Sequence, residues 1–168
     1  MGATGFLNYS RPFIDAAKKV FETMIFTKLE PQKPLIKKDN TSLGDITAFL
    51  GIIGDFEKDN IKKSYKAMLV ISFSYDTYIK VANAMLMENR TQYSPEISDV
   101  GGEICNMIMG SAKRNLVELG YSSNMAVPSI IEGKNHTISY PTSTNVVVIP
   151  MNSAYGTIYM ELCYKEED

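Results

Sequence analysis

An acid and an amide three residues apart stand in a stretch of this chain that favours helix. In "DVGGEICNMIMG", which begins at Asp99, helical spacing brings Glu103 and Asn106 to one side, together with Gly110. A carboxamide offers both a hydrogen-bond donor and an acceptor, and a glycine lets another backbone approach closely. Met107 beside them adds a flexible apolar contact. These residue types together suit a surface that docks another molecule.

Two of these residues do not favour the helix that carries them. Asn106 is a weak helix former in the middle of a helix, and Gly110 costs up to ~1 kcal/mol relative to alanine. Glu and Asn at this spacing occur by chance at about one position in 400, and adding Asp99 and Gly110 makes the full pattern much rarer. The residues alone leave two alternatives, a functional surface and an ordinary solvated helix surface.

The other side of the same helix is apolar. At about 100° per residue, one face collects the residues that we expect to be buried. They are Ile97, Gly101, Ile104, Cys105, Ile108, Ala112, Leu116 and Leu119. The opposite side of the helix, with Asp99, Glu103, Asn106 and Gly110, therefore faces outward, and we call these four residues the stripe.

The elements before this helix are predicted from periodicity and turn residues. A helix begins at Ser10, a possible N-cap, with Pro12 in its first turn. Pro31 and Pro34 exclude helix from the next segment, which we expect to be extended. Then come a buried strand, a polar turn, a second strand and a helical segment capped by Ser74, predicted respectively over 45–55, 56–62, 63–74 and 74–87.

The last third of the chain predicts one long helix and then strands. Ser94 and Pro95 begin the helix, which runs to about Leu119 and stops at Gly120. Three strands follow, near 127–132, 143–149 and 155–164. This order of elements indicates an α/β (α+β) protein with a mostly antiparallel sheet.

Length and composition limit the classes of function. The 168 residues suit one domain, residues 1–168, and a net charge of -2 does not provide the basic surface that nucleic-acid binding requires. The longest apolar stretches are far shorter than the ~20 residues that span a bilayer, so we expect no membrane insertion and a cytoplasmic location. Cys105 and Cys163 have no metal-ligand spacing, and we expect both to be reduced.

The stripe residues resemble the signature of the CheC, CheX and FliY chemotaxis phosphatases. That signature is an Asp or Ser, then a Glu, an Asn and a Gly along one helix, and "DVGGEICNMIMG" matches it in full. The single good copy points to CheX, since CheC carries two. Further similarity lies in "VFETM" on the first helix and in "VPSIIEGKNHTISYP" after the third.

The resemblance implies a phosphatase that acts on the phosphorylated aspartate of the response regulator CheY. Asn106 would orient the attacking water, Glu103 would pair with the regulator's active-site lysine, and Asp99, Met107 and Gly110 would support docking. It also implies a CheC-like fold, a mostly antiparallel sheet against two long helices and a shorter one. CheX proteins are typically homodimers that exchange a strand. We expect no cofactor of this chain's own, with Mg²⁺ bound by the regulator.

One alternative belongs to a different class. A non-catalytic module could bind a response regulator or serve as a scaffold of the flagellar switch. The presence of both Glu103 and Asn106 favours the phosphatase, because a scaffold has no need of a water-orienting amide. His136 is the only histidine and has no partner acid or cysteine in view, so we expect a structural role for it.

Overall fold

An antiparallel sheet packed against three helices forms this protein, in a computed structural model that describes residues 3–167. The helices are α1 (Ala3–Val20), α2 (Tyr75–Leu86) and α3 (Asp99–Glu118), with a π-helical turn Phe21–Ile25 after α1 and a 3₁₀ turn Pro95–Ile97 before α3. The predicted mixed class, with two long helices and a shorter one, is confirmed.

Within residues 3–167 the sheet has eight strands in the order β1-β7-β8-β4-β3-β5, with β2 also paired to β7 and β6 to β3. Every pairing is antiparallel. The strands are β1 (Glu30–Pro31), β2 (Leu35–Ile36), β3 (Ile46–Lys58), β4 (Ile61–Phe73), β5 (Tyr121–Met125), β6 (Ser129–Glu132), β7 (Val146–Ser153) and β8 (Gly156–Glu167). The two-residue strands β1 and β2 confirm the predicted extended segment.

The β3–β4 hairpin lies at the centre of the sheet. Its strands pair from Ile46 with Phe73 to Lys58 with Ile61, so its turn contains only two residues. Asp59 and Asn60 both have positive φ, at 53° and 65°. Turns of this kind match the twist of the strands they join. The predicted polar turn over 56–62 is therefore too long, because its flanking residues continue the ladder.

The first helix begins earlier than Ser10. That residue is buried inside α1, where its hydroxyl donates to the Leu7 carbonyl oxygen at 3.1 Å, and Pro12 is also internal. Tyr9, fully buried, packs against Tyr65 of β4 at a ring distance of 5.6 Å. This packing makes the preceding turn helical and outweighs the local capping signal, so the predicted start is wrong.

The strands after α3 are confirmed near the predicted places, with shifted ends, but β5 was not predicted. Tyr121 and Ser123 of β5 are buried and alternate with exposed neighbours. The period of two is present, yet the segment is too polar to stand out from a loop.

Both faces of the sheet bury apolar side chains. The larger core lies between the sheet and the helices, and a smaller cluster on the opposite face forms under the segment 133–145. Members of the smaller cluster are Met68, Val70, Ile138, Val146 and Cys163. None of the helices within residues 3–167 is long and apolar enough to cross a membrane.

Candidate functional site

Helix α3 carries the candidate site, and its α-helical part begins later than the predicted start at Ser94 and Pro95. The helical segment starts at Pro95 as a 3₁₀ turn, breaks at Ser98 and becomes α-helical at Asp99. Neither Ser94 nor Ser98 caps the following turn with its side chain. The predicted continuous helix from Ser94 is therefore wrong at its first turn.

The buried face of α3 is confirmed except at its end. Leu119 is 42% exposed, because α3 ends at Glu118 and the chain turns away through Gly120, whose φ is 98°. The other predicted members are buried, namely Ile97, Gly101, Ile104, Cys105, Ile108, Ala112 and Leu116. These contacts fix the rotation of the helix about its own axis.

The stripe lies on the outer face, as its spacing predicts. Asp99, Glu103 and Gly110 are exposed, and Asn106 is half-buried. Among the residues that the structure describes, the side chains of Glu103 and Asn106 form no hydrogen bond or ion pair. Their polar atoms are therefore available to a partner, while the opposite face of the helix packs against the core.

Gly110 and Met107 differ in their surroundings. Apart from its chain neighbours and the backbone of its own helix, no heavy atom lies within 4 Å of the position that a Cβ on Gly110 would occupy, so the space above this glycine is open. Met107 is half-buried and packs partly against the core. The internal packing of the protein therefore does not require glycine at 110.

Acidic groups surround the beginning of α3. The Tyr75 hydroxyl donates to Glu132 at 2.6 Å, and this bond raises the pKa of Tyr75 to about 12. Burial, followed by the charges of Glu132 and Asp99, raises the pKa of Tyr93. Asp99 also lies in the first turn of α3, where a negative charge favours the helix dipole. The carboxylates of Glu132 and Asp99 therefore both act on Tyr93 near this end of the helix.

Tyr78 of α2 contacts the turn that precedes α3, and the periodicity of the sequence did not predict this contact. The hydroxyl of Tyr78 on α2 lies 2.7 Å from the Ile97 carbonyl oxygen and 2.9 Å from that of Ser98, and it accepts the Gly101 N–H at 2.9 Å. Tyr78 itself is fully buried. Within residues 3–167, no group of His, Cys, Asp and Glu side chains is arranged to hold a metal ion.

Solved structures with a similar fold share this architecture. A CheC-like superfamily protein from Shewanella sp. PV-4 is 33% identical, with a TM-score of 0.81, over 98% of this chain and 99% of that one. The chemotaxis protein CheX from Vibrio vulnificus is 31% identical, with a TM-score of 0.79, over 94% and 99%. The fold is therefore CheC-like.

A family model described as chemotaxis phosphatase CheX matches residues 60–152, a range that includes the whole of α3. The chain belongs to the CheX family of chemotaxis phosphatases. No curated protein sequence matches it. A more distant structure, the CheX–CheY–BeF₃–Mg²⁺ complex from Borrelia burgdorferi, is 23% identical with a TM-score of 0.74, over 95% of this chain and 98% of that one, and shares the fold.

Proposed function

We propose that this protein hydrolyses the aspartyl phosphate of a CheY-type response regulator, with α3 as the helix that enters the regulator's active site. The observation that carries the proposal is the exposed Glu103 and the half-buried Asn106, both unpaired within the described chain and placed on the helix that the CheX family model covers. The Borrelia burgdorferi CheX was solved bound to CheY, which supports a regulator as partner.

Asn106 orients the attacking water in this proposal. The water oxygen attacks phosphorus, the bond from phosphorus to the aspartyl oxygen breaks, and the products are the free carboxylate and inorganic phosphate. The carboxamide oxygen of Asn106 accepts a hydrogen bond from that water and holds it in line with the breaking bond. Phosphoryl transfer passes through a loose transition state, so positioning alone supplies much of the acceleration.

Glu103 supplies the contact that aligns the two proteins. Its exposed carboxylate pairs with the active-site lysine of the regulator, and the acidic beginning of α3 favours that approach. Asp99, Met107 and Gly110 belong to the docking surface. The regulator binds the Mg²⁺ that neutralises the phosphoryl oxygens, and this chain contributes no cofactor of its own.

The assembly that we propose is a cytoplasmic homodimer with an exchanged strand. The short strands β1 and β2 each pair with only two residues of the β7 edge, and Leu35 and Ile36 on β2 are 52% and 55% exposed. An incompletely covered edge with apolar side chains favours pairing with another chain. Light scattering at micromolar concentration tests this, and a strictly monomeric mass would contradict it.

The decisive experiment mixes the protein with a phosphorylated CheY-type regulator and follows the release of inorganic phosphate. We expect Asn106→Ala to lower the rate about 100-fold or more, as for the loss of one transition-state contact. Asn115→Ala is the matched control, because Asn115 is exposed on the same helix outside the stripe. An Asn106→Ala variant as active as the parent would refute the assignment of the site.

Glu103→Ala tests the contact with the regulator. We expect weaker binding of the phosphorylated regulator and a smaller loss of turnover than for Asn106→Ala. Glu118→Ala, at the exposed end of α3, is the matched control. A parent protein that binds the phosphorylated regulator but does not accelerate phosphate release would instead favour a non-catalytic binding module.

A further inference from the structure

The hydroxyl of Tyr78 occupies a break in the helical ladder just before the candidate site. In an uninterrupted α-helix the Gly101 N–H would donate to the Ile97 carbonyl, four residues earlier. Here the Gly101 N–H donates to the Tyr78 hydroxyl at 2.9 Å, and that hydroxyl lies 2.7 Å from the Ile97 oxygen. One hydroxyl from a neighbouring helix therefore joins the two groups that would otherwise bond to each other.

An inserted group of this kind changes the direction of a helix. The chain leaves its 3₁₀ turn at Ser98, and α3 begins at Asp99 without a side-chain cap from its own segment. The first amides of a helix need acceptors from elsewhere. Tyr78 supplies one of them from α2, and so determines where the α-helical ladder of α3 begins.

The surroundings of Tyr78 hold its hydroxyl in one place. The residue is fully buried, and its ring packs edge-on against Phe73 of β4 with 5.2 Å between ring centroids. A Cβ on Gly101 would lie 3.1 Å from the Ala48 Cβ and 3.3 Å from a Tyr78 ring carbon. Glycine at 101 thus permits the close approach of α3 to both the sheet and the ring.

We propose that Tyr78 is a positioning residue for the Glu103–Asn106 pair. Its hydroxyl links the first turn of α3 to α2, its ring packs against Phe73 of β4, and Glu103 follows Gly101 by only two residues. Tyr78 does not touch the substrate and acts through the placement of α3. The inference rests on the proposed function, which gives that placement its catalytic meaning.

Tyr78→Phe tests the proposal because it removes the hydroxyl and keeps the ring. Tyr65→Phe is the matched control, since the Tyr65 hydroxyl also makes two hydrogen bonds in the interior, to the Ser122 carbonyl at 3.0 Å and to the Ser123 hydroxyl at 2.8 Å. With a phosphorylated CheY-type regulator, we expect Tyr78→Phe to lower kcat about tenfold with a change in KM below about threefold. Tyr65→Phe should leave both constants near the parent values.

Amide hydrogen exchange separates this proposal from the proposed function. Tyr78→Phe should accelerate exchange at Gly101 and its neighbours by about tenfold or more, and Tyr65→Phe should not. If the parent releases no phosphate, the proposed function fails, and exchange alone decides whether Tyr78 fixes the turn. Unchanged exchange in Tyr78→Phe, or equal losses of kcat in the two variants, would overturn the proposal.

A second variant tests the proposal if Tyr78→Phe does not fold. Gly101→Ala keeps the hydroxyl but adds a methyl group 3.1 Å from the Ala48 Cβ, and so displaces the same turn. We expect it to lower kcat as Tyr78→Phe does. A Gly101→Ala variant that folds and retains full turnover would show that the position of this turn does not control the reaction.

Discussion

Lys37 and Glu161 form an ion pair inside the protein, with 3.0 Å between Nζ and Oε1 and side chains that are 4% and 0% exposed. The Tyr140 hydroxyl accepts a hydrogen bond from Lys37 at 2.7 Å and donates to the same carboxylate oxygen. In the described part of the chain, Oε2 of Glu161 has no partner. The cluster links the residue after β2, the segment 133–145 and β8. Because both charges are buried, each one stabilises the other.

Removing one member of this pair should cost more than removing both. Lys37→Met leaves the Glu161 carboxylate buried without a cation, and we expect a loss of about 3–5 kcal/mol in the free energy of unfolding. The double variant Lys37→Met/Glu161→Leu should recover most of that loss, because no unpaired charge remains. Urea unfolding monitored by circular dichroism measures both.

An exposed ion pair provides the control for that comparison. Lys80 Nζ and Asp76 Oδ2 are 2.9 Å apart on α2, and the two side chains are 50% and 77% exposed. Lys80→Met should change the free energy of unfolding by less than about 0.5 kcal/mol. A double variant at Lys37 and Glu161 that is less stable than Lys37→Met alone would contradict our account of the buried pair.

Gly110→Ala should increase the stability of the protein and weaken its binding of the phosphorylated regulator. The added Cβ meets no atom, so the helix gains up to about 1 kcal/mol of stability. The same methyl group stands on the surface that we propose docks the regulator, and binding of the phosphorylated regulator should weaken. Thermal unfolding and a binding titration measure the two effects. Gly54→Ala, whose Cβ would lie 1.9 Å from the Ser122 carbonyl oxygen, should destabilise the protein instead.

His136 should matter for stability and not for phosphate release. Its Nδ1 lies 2.6 Å from the Gly133 carbonyl oxygen and its Nε2 2.6 Å from the Thr47 hydroxyl, which ties the segment after β6 to β3. Deleting the ring in His136→Ala leaves Thr47, a buried residue, with one partner fewer, and we expect a loss of about 1–3 kcal/mol. A loss of turnover in a fully folded His136→Ala protein would refute the structural role.

Cys105 should react with thiol reagents only when the protein opens. Burial raises the pKa of its thiol to about 12. The folded-state pKa exceeds the unfolded value of about 8.5, so the stability contributed by the neutral thiol is complete below that pH and is lost as the pH rises toward 12. At pH 8 a thiol reagent should label Cys105 in denaturant and not in native buffer, as measured by mass spectrometry. Asn115→Cys adds an exposed thiol as the positive control, and rapid native labelling of Cys105 would contradict the prediction.

Local patterns predicted the elements whose cause is local. The Ser74 hydroxyl accepts the Thr77 N–H at 3.1 Å, as its capping position predicts, and the apolar period of α3 identified its buried face through Leu116. Both depend on residues within a turn or two of each other. Such signals can be recognised in a single sequence without knowledge of the fold.

Predictions failed where distant contacts decide the structure. The start of α1 is set by Tyr9 packing on Tyr65 and not by Ser10, and β5 forms because a polar segment pairs with β3. Leu119, predicted to be buried, lies beyond the last turn of α3 and is 42% exposed. For α1 and β5, long-range packing or pairing outweighs a local propensity of about 1 kcal/mol or less, whereas Leu119 is exposed because the helix ends before it.

The sequence by itself determined the residue types of the candidate site and the helix face that carries them. The spacing of Glu103 and Asn106 follows from helix geometry alone, and so does its relation to the buried Ile104 and Ile108. Only the tertiary structure decided where that helix begins. The hydrogen bond from Gly101 to Tyr78 joins residues 23 apart, and a contact of that range depends on how α2 and α3 pack, which no local spacing encodes.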